Sequence, residues 1–468
     1  MASPNTTYDV VIIGSGPGGY VGAIRAGQLG LRTALVEKDP FFGGTCLHRG
    51  CIPAKSFLHD AAVFAQTLNA LEYGVIAENV RLDFAKVQSR KSGVVKKLAQ
   101  GVEGLLKKNK VETFRGFGRL VGRDRVEVKK PDGTTVQLGA RHIVLATGSV
   151  PRSLPGLTVD GERVINSDHV LELTAVPESM VVLGAGAVGV EFASAFARFG
   201  SKITLLEILE RILPLEDADS SKELERALRR QMKIHTATKF ESVEKTKTGV
   251  RVQAKSTAGE ALTFEAEKLL VSVGRSPLIE GLGLDAAGVQ TERGFVKVDP
   301  FMRTNVPGIY AIGDLVPTPA YAHTASSEAI LAVEHAAGHE VRPLDYDHMP
   351  NCTFCDPEVA SVGLTEAEAR KRGHDVKVGK FPLPVLGKVM ILGERYGMVK
   401  FVADAKHHEL LGVHIVGPHA TDLIAEACIA LTSEATVDEF IATVHAHPTV
   451  AEGIKEAAEG VFGSAIHL

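Results

Sequence analysis

Val11-Ile12-Ile13-Gly14-Ser15-Gly16-Pro17-Gly18-Gly19 is an apolar strand running straight into Gly-x-Gly-x-x-Gly. An alanine-rich helical stretch follows to about Leu29, and a second strand, Thr33 to Val36, ends at Glu37. Val181-Val182-Leu183-Gly184-Ala185-Gly186-Ala187-Val188-Gly189 repeats the pattern, and its second strand ends at Glu207. Every landmark recurs 170 residues on: Gly14 at Gly184, Gly16 at Gly186, Gly19 at Gly189, Gly30 at Gly200, Glu37 at Glu207. In such a unit the first glycine permits the tight strand-to-helix turn, the second admits a pyrophosphate to the backbone, and the third lets helix and strand pack closely. The pyrophosphate then meets free N–H groups at the helix N-terminus, and the acid about 20 residues on bonds the ribose hydroxyls. One such motif is weak evidence. Two, each with its strand, helix and acid, predict two dinucleotide sites, and hence an electron-transfer enzyme with a flavin and a nicotinamide cofactor. Glu207 would repel the 2′-phosphate of NADP, and no arginine stands at that strand end; Arg211 is four residues further on. The second site therefore reads as an NAD site.

Between the two units lies Gly43-Gly44-Thr45-Cys46-Leu47-His48-Arg49-Gly50-Cys51-Ile52-Pro53-Ala54-Lys55. Two cysteines five apart on a continuous helix have Cα atoms roughly 8–9 Å apart, whereas a disulfide needs less than about 7 Å. Either the two are not bonded, or the segment between them is not regular helix. Gly50 permits a distorted turn, and Pro53 suits the first turn of a helix beginning near Cys51. Thiols at a helix N-terminus ionise more readily and attack as thiolates. The pair reads as a redox-active dithiol beside the first cofactor.

Gly-Gly-Thr-Cys-x4-Cys-Ile-Pro-x-Lys resembles the signature of the pyridine nucleotide–disulfide oxidoreductases, and the resemblance extends over essentially the whole chain. It implies two Rossmann-like α/β domains and a C-terminal α+β dimerisation domain. The regions are residues 1–150 (FAD, first part), 151–276 (NAD), 277–345 (FAD, second part) and 346–468 (interface), with a linker from Pro151 to Pro155. It implies FAD and NAD as cofactors and a Cys46–Cys51 disulfide. Ala146-Thr147-Gly148 resembles the second FAD element, Val273-Gly274-Arg275 the second nicotinamide element, and Ala311-Ile312-Gly313-Asp314 the element whose Asp touches the FAD ribityl chain. Lys38, Gly44, Thr45, Gly118, Ala322 and His323 carry over as further cofactor-binding positions, Lys55 as the residue near the flavin ring, and Glu191 as the partner of Lys55. His48 and Arg49 depart from the family's usual Asn-Val between the cysteines.

Within the family, the stretches Leu386 to Asp404, Leu411 to Pro418 and His445 to Thr449 resemble members that oxidise a dihydrolipoyl group on a carrier protein. That implies a homodimer served by a lipoyl-carrying acyltransferase or a glycine-cleavage carrier protein. By the same resemblance His447, with Glu452, is the base that deprotonates a substrate thiol, delivered from the partner subunit to Cys46. Pro448 favours a helix start, so the two side chains are expected to meet across its first turns; His445 is expected only to support them. Glutathione reductase shares these elements but needs NADPH. Mercuric reductases carry extra C-terminal cysteines that are missing here, and soluble transhydrogenases of this fold lack the dithiol. A flavin-binding redox sensor is the non-enzymatic alternative.

Composition fits this reading. The 468 residues suggest several domains, each with a core, and the balance of 52 basic against 56 acidic residues gives no reason to expect nucleic acid or a polybasic membrane anchor. No apolar run approaches the roughly 20 residues of a membrane span. The N-terminal MASPNTTYDV shows no secretory or arginine-rich presequence, which makes a cytoplasmic address the expectation. Five cysteines are too few for a secreted disulfide scaffold. Cys352 and Cys355 read as buried, inert thiols, Cys428 as core, and no metal site is expected. The lysines from Lys91 to Lys110 read as a solvated helix face.

Overall fold

The computed structural model describes residues 7–468, so the presequence reading lies largely outside the described residues. The chain forms two compact units. The first gathers residues up to Ser56, Gln88–Arg152 and Arg275–Tyr346; the second holds Phe57–Val87, Ser153–Gly274 and Asp347–Leu468.

The first unit is built on a seven-stranded sheet. Strand β1 (Thr7–Ile13) lies between β2 (Thr33–Glu37) and the strand Thr135–Leu145, parallel to both, with Val11 opposite Ala34 and Ile143. Val11 and Ile13 enter one core and Val10 and Ile12 the other, because successive side chains leave a strand on opposite faces. All four are at most 3% exposed, as a parallel strand covered on both sides demands. Helix α1 (Pro17–Gln28) has Pro at its first position, where a missing N–H costs nothing, and buries Gly18, Gly19, Gly22, Ala23 and Ala26.

The second unit contains another parallel sheet, ordered Lys233–His235, Lys202–Leu206, Ser179–Leu183, Lys268–Val271, Val164–Asn166. It also holds a five-stranded antiparallel sheet in which Leu410–Gly417 pairs with Glu358–Gly363 and Met398–Asp404. The helices Ala420–Thr432, Val437–Ala442 and Glu452–Gly460 share a core with this sheet through Ile424, Phe440 and Ile454. The strands Gly397 to Val402 and Leu411 to Val416 and the helices Asp422 to Thr432 and Val437 to Thr443, expected from the sequence, form with no end moved by more than two residues. Pro151, expected in a linker, closes a short strand, Ser149–Pro151, that pairs with Arg275–Pro277. The lysine-bearing helix runs Phe84–Lys108; most of its lysines face water, but Lys91 is buried.

Candidate active site

Gly14 has φ +101°, and a Cβ there would lie 2.3 Å from the Ala146 carbonyl oxygen; at Gly19 it would lie 1.8 Å from the Gly14 oxygen. No larger residue closes this turn. Gly16 caps α1 without a side-chain bond, and a Cβ there would meet nothing within 4 Å, so the turn is open on that side of the helix N-terminus. Glu37 is buried and accepts hydrogen bonds from the Ser15 amide (2.8 Å), the Ser15 hydroxyl (2.6 Å) and the Asp39 amide (2.8 Å). A carboxylate has about four acceptor positions, which leaves capacity for a ribose hydroxyl. An open helix N-terminus beside a fixed acid fits a dinucleotide. Lys38 is exposed at the strand exit, and Gly118 is buried, with a Cβ there 3.0 Å from Val36.

The dithiol segment is helical but broken. Helix α2 (Gly44–Arg49) ends at Gly50, whose φ of −142° and ψ of −116° leave the helix, and α3 (Cys51–Leu68) begins at the next residue. A Cβ on Gly50 would stand 3.2 Å from the Cys46 Cα, so glycine allows the break to close tightly. This resolves the spacing problem: the two sulfurs come within hydrogen-bonding reach of each other, and both are thiols in this structure. The bond with Cys51, together with burial, pushes the Cys46 thiol far up, while the Lys55 ammonium pulls it down. A Cβ on Gly44 would come 2.5 Å from the Gly16 Cα, so Gly44 and Thr45 begin α2 directly against the first glycine turn.

In the same unit the Asp314 carboxylate accepts a short hydrogen bond from the Ser149 hydroxyl. Arg275 donates to that hydroxyl (2.6 Å) and to the Ser149 carbonyl (2.7 Å), and lies 3.9 Å from Asp314. Arg275, from the stretch that resembles the second nicotinamide element, is thus joined to Ser149 and lies near Asp314. Thr147 donates to the Leu278 carbonyl (2.7 Å), and Ala146 donates its amide to Ile13 (2.8 Å), next to Gly148 at φ +69°. Ala322 opens the helix Ala322–Ala336, with exposed His323 stacked on Tyr321.

The second unit repeats the turn. Gly184 has φ +100° and would place a Cβ 2.5 Å from the Ser272 oxygen; Gly189 would place one 1.9 Å from the Gly184 oxygen. Gly186 caps its helix and is open, and buried Glu207 accepts the amides of Ala185 (2.7 Å) and Leu209 (2.9 Å). Arg211 bonds the Pro214 carbonyl (3.1 Å), Gly274 is exposed at φ +104°, and buried Glu191 accepts the Phe354 amide (3.0 Å).

Near the C-terminus His447 Nδ1 meets Glu452 Oε1 at 2.8 Å, with the imidazole 78% exposed. The helix starts at Glu452, not at Pro448, so the contact is made from the bent segment before the helix onto its first residue. Burial lifts the Glu452 carboxyl, but the Thr449 amide and His447 outweigh it and hold it below its ordinary range. An ionised acid on Nδ1 fixes the tautomer and leaves Nε2 as the base. His445 is nearly buried, its Nε2 3.0 Å from Glu426. Cys355 is buried, and Cys352 and Cys428 pack against the core.

Sequence reasoning missed Ser15, Ser149 and Glu426. Ser15 sits in a position of the glycine motif that tolerates many residues. Ser149 and Glu426 are joined to their partners only in three dimensions.

Residues 8–329 match the pyridine nucleotide-disulphide oxidoreductase family, and residues 349–458 match its dimerisation domain. The dihydrolipoyl dehydrogenase of Bacillus subtilis (strain 168) is 46% identical over 474 residues, covering 99% of this chain and 100% of that protein. The mitochondrial dihydrolipoyl dehydrogenase of Pisum sativum is 41% identical over 472 residues, covering 100% of this chain and 94% of that protein. The crystal structure of LpdA from Mycobacterium tuberculosis superposes with a TM-score of 0.89 at 28% identity, covering 97% of this chain and 99% of that one.

Proposed function

The chain belongs to the pyridine nucleotide-disulphide oxidoreductases, and from that premise we propose that it oxidises protein-bound dihydrolipoamide and reduces NAD⁺. The observation that carries this reading is the Cys46–Cys51 dithiol in one unit, flanked in sequence by a complete dinucleotide turn and accompanied by an exposed, acid-oriented His447.

The resting enzyme holds Cys46 and Cys51 as a disulfide. Nε2 of His447, with Nδ1 held by Glu452, takes a proton from one substrate thiol, a role worth about 10²–10⁴-fold in rate. The thiolate attacks the Cys46 sulfur; the Cys46–Cys51 bond breaks and Cys51 leaves as a thiolate. The second substrate thiol, deprotonated in turn, attacks the substrate sulfur now bonded to Cys46. Cys46 is displaced, the substrate leaves as a cyclic disulfide, and two electrons stay on the two cysteines. Bound FAD supplies the two-electron relay from this dithiol to NAD⁺. Gly14, Gly16, Gly19, Glu37, Thr45 and Asp314 would hold the flavin nucleotide, with Lys55 beside its ring. Gly184, Gly186, Gly189 and Glu207 would hold NAD.

The dimerisation-domain match supports a homodimer in which His447 of one chain serves Cys46 of the other. The carrier would be a lipoyl-bearing acyltransferase or glycine-cleavage protein.

The test follows NADH formation from dihydrolipoamide by the purified yellow protein, with NADP⁺ in parallel. Fast turnover with NAD⁺ and little with NADP⁺ is expected. A flavin-loaded dimer that makes no NADH would sink the substrate; a preference for NADP⁺ would sink the reading of Glu207. Mixing His447→Ala and Cys46→Ser chains should restore activity through one intact hybrid site. Verified heterodimers without activity would remove the shared site.

A further inference from the structure

Helix α2, which carries Cys46, has six residues, no side-chain N-cap and a glycine at each end. Such a segment does not hold its shape alone. Leu47 sinks into the core below it. The two residues between the cysteines that depart from the expected pattern supply the rest. Arg49 makes a short ion pair with Asp39, and His48 Nε2 donates to the Phe42 carbonyl (2.8 Å) while its ring stacks on Phe41. The loop they grip is itself fixed. The Asp39 amide donates to Glu37 (2.8 Å), the Gly43 amide to the Ser15 carbonyl (3.0 Å), and Arg115 bonds the Asp39 carbonyl (3.1 Å) with its guanidinium 3.5 Å from the centre of the Phe42 ring.

We propose that Arg49 and His48 are positioning residues of the dithiol, clamping α2 onto the Asp39–Gly43 loop so that Cys46 stays opposite Cys51 while the bond between them is open. The proposal rests on the dithiol role given under Proposed function. When the disulfide is closed, the covalent link itself restrains α2. When it is open, the clamp does. Removing the clamp frees the reduced form only, so the cost of closing the ring rises and reduction becomes easier.

A plain charge effect makes a different prediction. A cation beside the cysteines favours the thiolate form, so losing Arg49 would disfavour reduction, and losing Asp39 would favour it. The clamp predicts the same direction for both.

The measurement is the thiol–disulfide equilibrium of Cys46 and Cys51 in dithiothreitol redox buffers, read on the flavin-loaded protein by alkylation and mass spectrometry. Arg49→Gln, Asp39→Asn and His48→Leu should each lower the disulfide-forming equilibrium constant about three- to tenfold. At about 30 mV per tenfold, that is an upward shift of about 14–30 mV. The exchanged pair, Arg49→Asp with Asp39→Arg, should return most of it. Should Arg49→Gln fail to fold, Arg49→Lys serves: it keeps the charge and loses the guanidinium geometry, and the clamp still predicts an upward shift. Opposite shifts for Arg49→Gln and Asp39→Asn, or no shift in folded variants, overturn the proposal while leaving the dithiol intact. A wild-type protein in which Cys46 and Cys51 form no disulfide at any potential overturns the proposed function itself, and the clamp with it.

Discussion

The two glycine turns share a backbone and differ in what hangs from it. Gly14 and Gly184 take φ of 101° and 100°, and Gly16 and Gly186 cap their helices with no side chain. Both acids accept the amide that follows the first glycine and an amide two residues beyond themselves. A later hydrogen bond repeats too: Gly43 donates to the Ser15 carbonyl at 3.0 Å and Leu213 to the Ala185 carbonyl at 2.8 Å. Immediately afterwards the copies part. In the first, Gly44 starts α2 against the turn. In the second, Pro214 follows, and the chain passes to Asp217, the N-cap of the helix Ala218–Leu228. One offset on from Cys46 stands Glu216, so the position of a reactive thiol in one copy holds a buried carboxyl in the other. Glycine sterics set the turn; the connector beyond it decides what chemistry the turn is attached to.

Five substitutions sharpen or break this comparison. The largest effect is expected at the third glycines, where any side chain meets a carbonyl oxygen at under 2 Å. Gly19→Val should yield protein without flavin. Gly189→Val should stay yellow while NADH formation falls more than about 1,000-fold, since the second site alone is filled. Loss of flavin from both would show that the copies do not work separately.

At the point of divergence, burial pushes the Glu216 carboxyl up to about 7, the neighbouring Asp217 adding to it and Ser361 opposing. Its Oε1 accepts from Asn351 (2.6 Å), and its Oε2 has no protein partner. A carboxyl raised in the folded state holds its proton where the unfolded chain has lost it. Stability therefore falls as pH rises from about 4.5 to about 7 and is level above. Glu216→Gln should be more stable than wild type at pH 8 by on the order of 3 kcal/mol, with no difference near pH 4. Denaturant midpoints at the two pH values check this, and an equal difference at both would refute the titration.

Glu207→Gln keeps one amide acceptor and loses the other, which costs about 1–3 kcal/mol at a buried donor. The kcat/KM for NAD⁺ should drop about tenfold or more, and the discrimination against NADP⁺ should narrow because the charge that repels its 2′-phosphate is gone; unchanged discrimination would refute the repulsion. The smallest effect is expected from Ser15→Ala, which gives the first turn the residue of the second. Glu37 loses one hydroxyl donor, worth about 1 kcal/mol, so FAD should dissociate about fivefold more readily. Equilibrium titration of the apoprotein measures it, and unchanged affinity would show that the hydroxyl is only structural.

Much of this was legible in the linear order because the groups concerned are close along it. The glycine turns and their acids sit 22 or fewer residues apart in their hydrogen bonds. The cysteines share one short segment, and His447 and Glu452 are five apart. The helix start after Pro448 was misplaced because the chain runs through bends and a turn from His447 to Ala451 before the helix begins at Glu452. Lys91 was misread because a lysine on an amphipathic helix looks solvated until its neighbours are known. The partner of Arg275 was not legible because it is distant along the chain: Ser149 is 126 residues away.

The chain order alone determined the two dinucleotide turns, the dithiol and the acid–imidazole pair, since each is a local pattern that backbone sterics and side-chain chemistry make readable. Only the tertiary structure decided which long-range partners complete them. Lys400, 2% exposed, is surrounded by Asp217, Asp219 and Glu366. His445 is joined to Glu426, and Asp314 is held through Ser149. A buried charge or hydroxyl must find a partner, but the partner's address is set by how strands and helices pack, and no spacing along the chain records that.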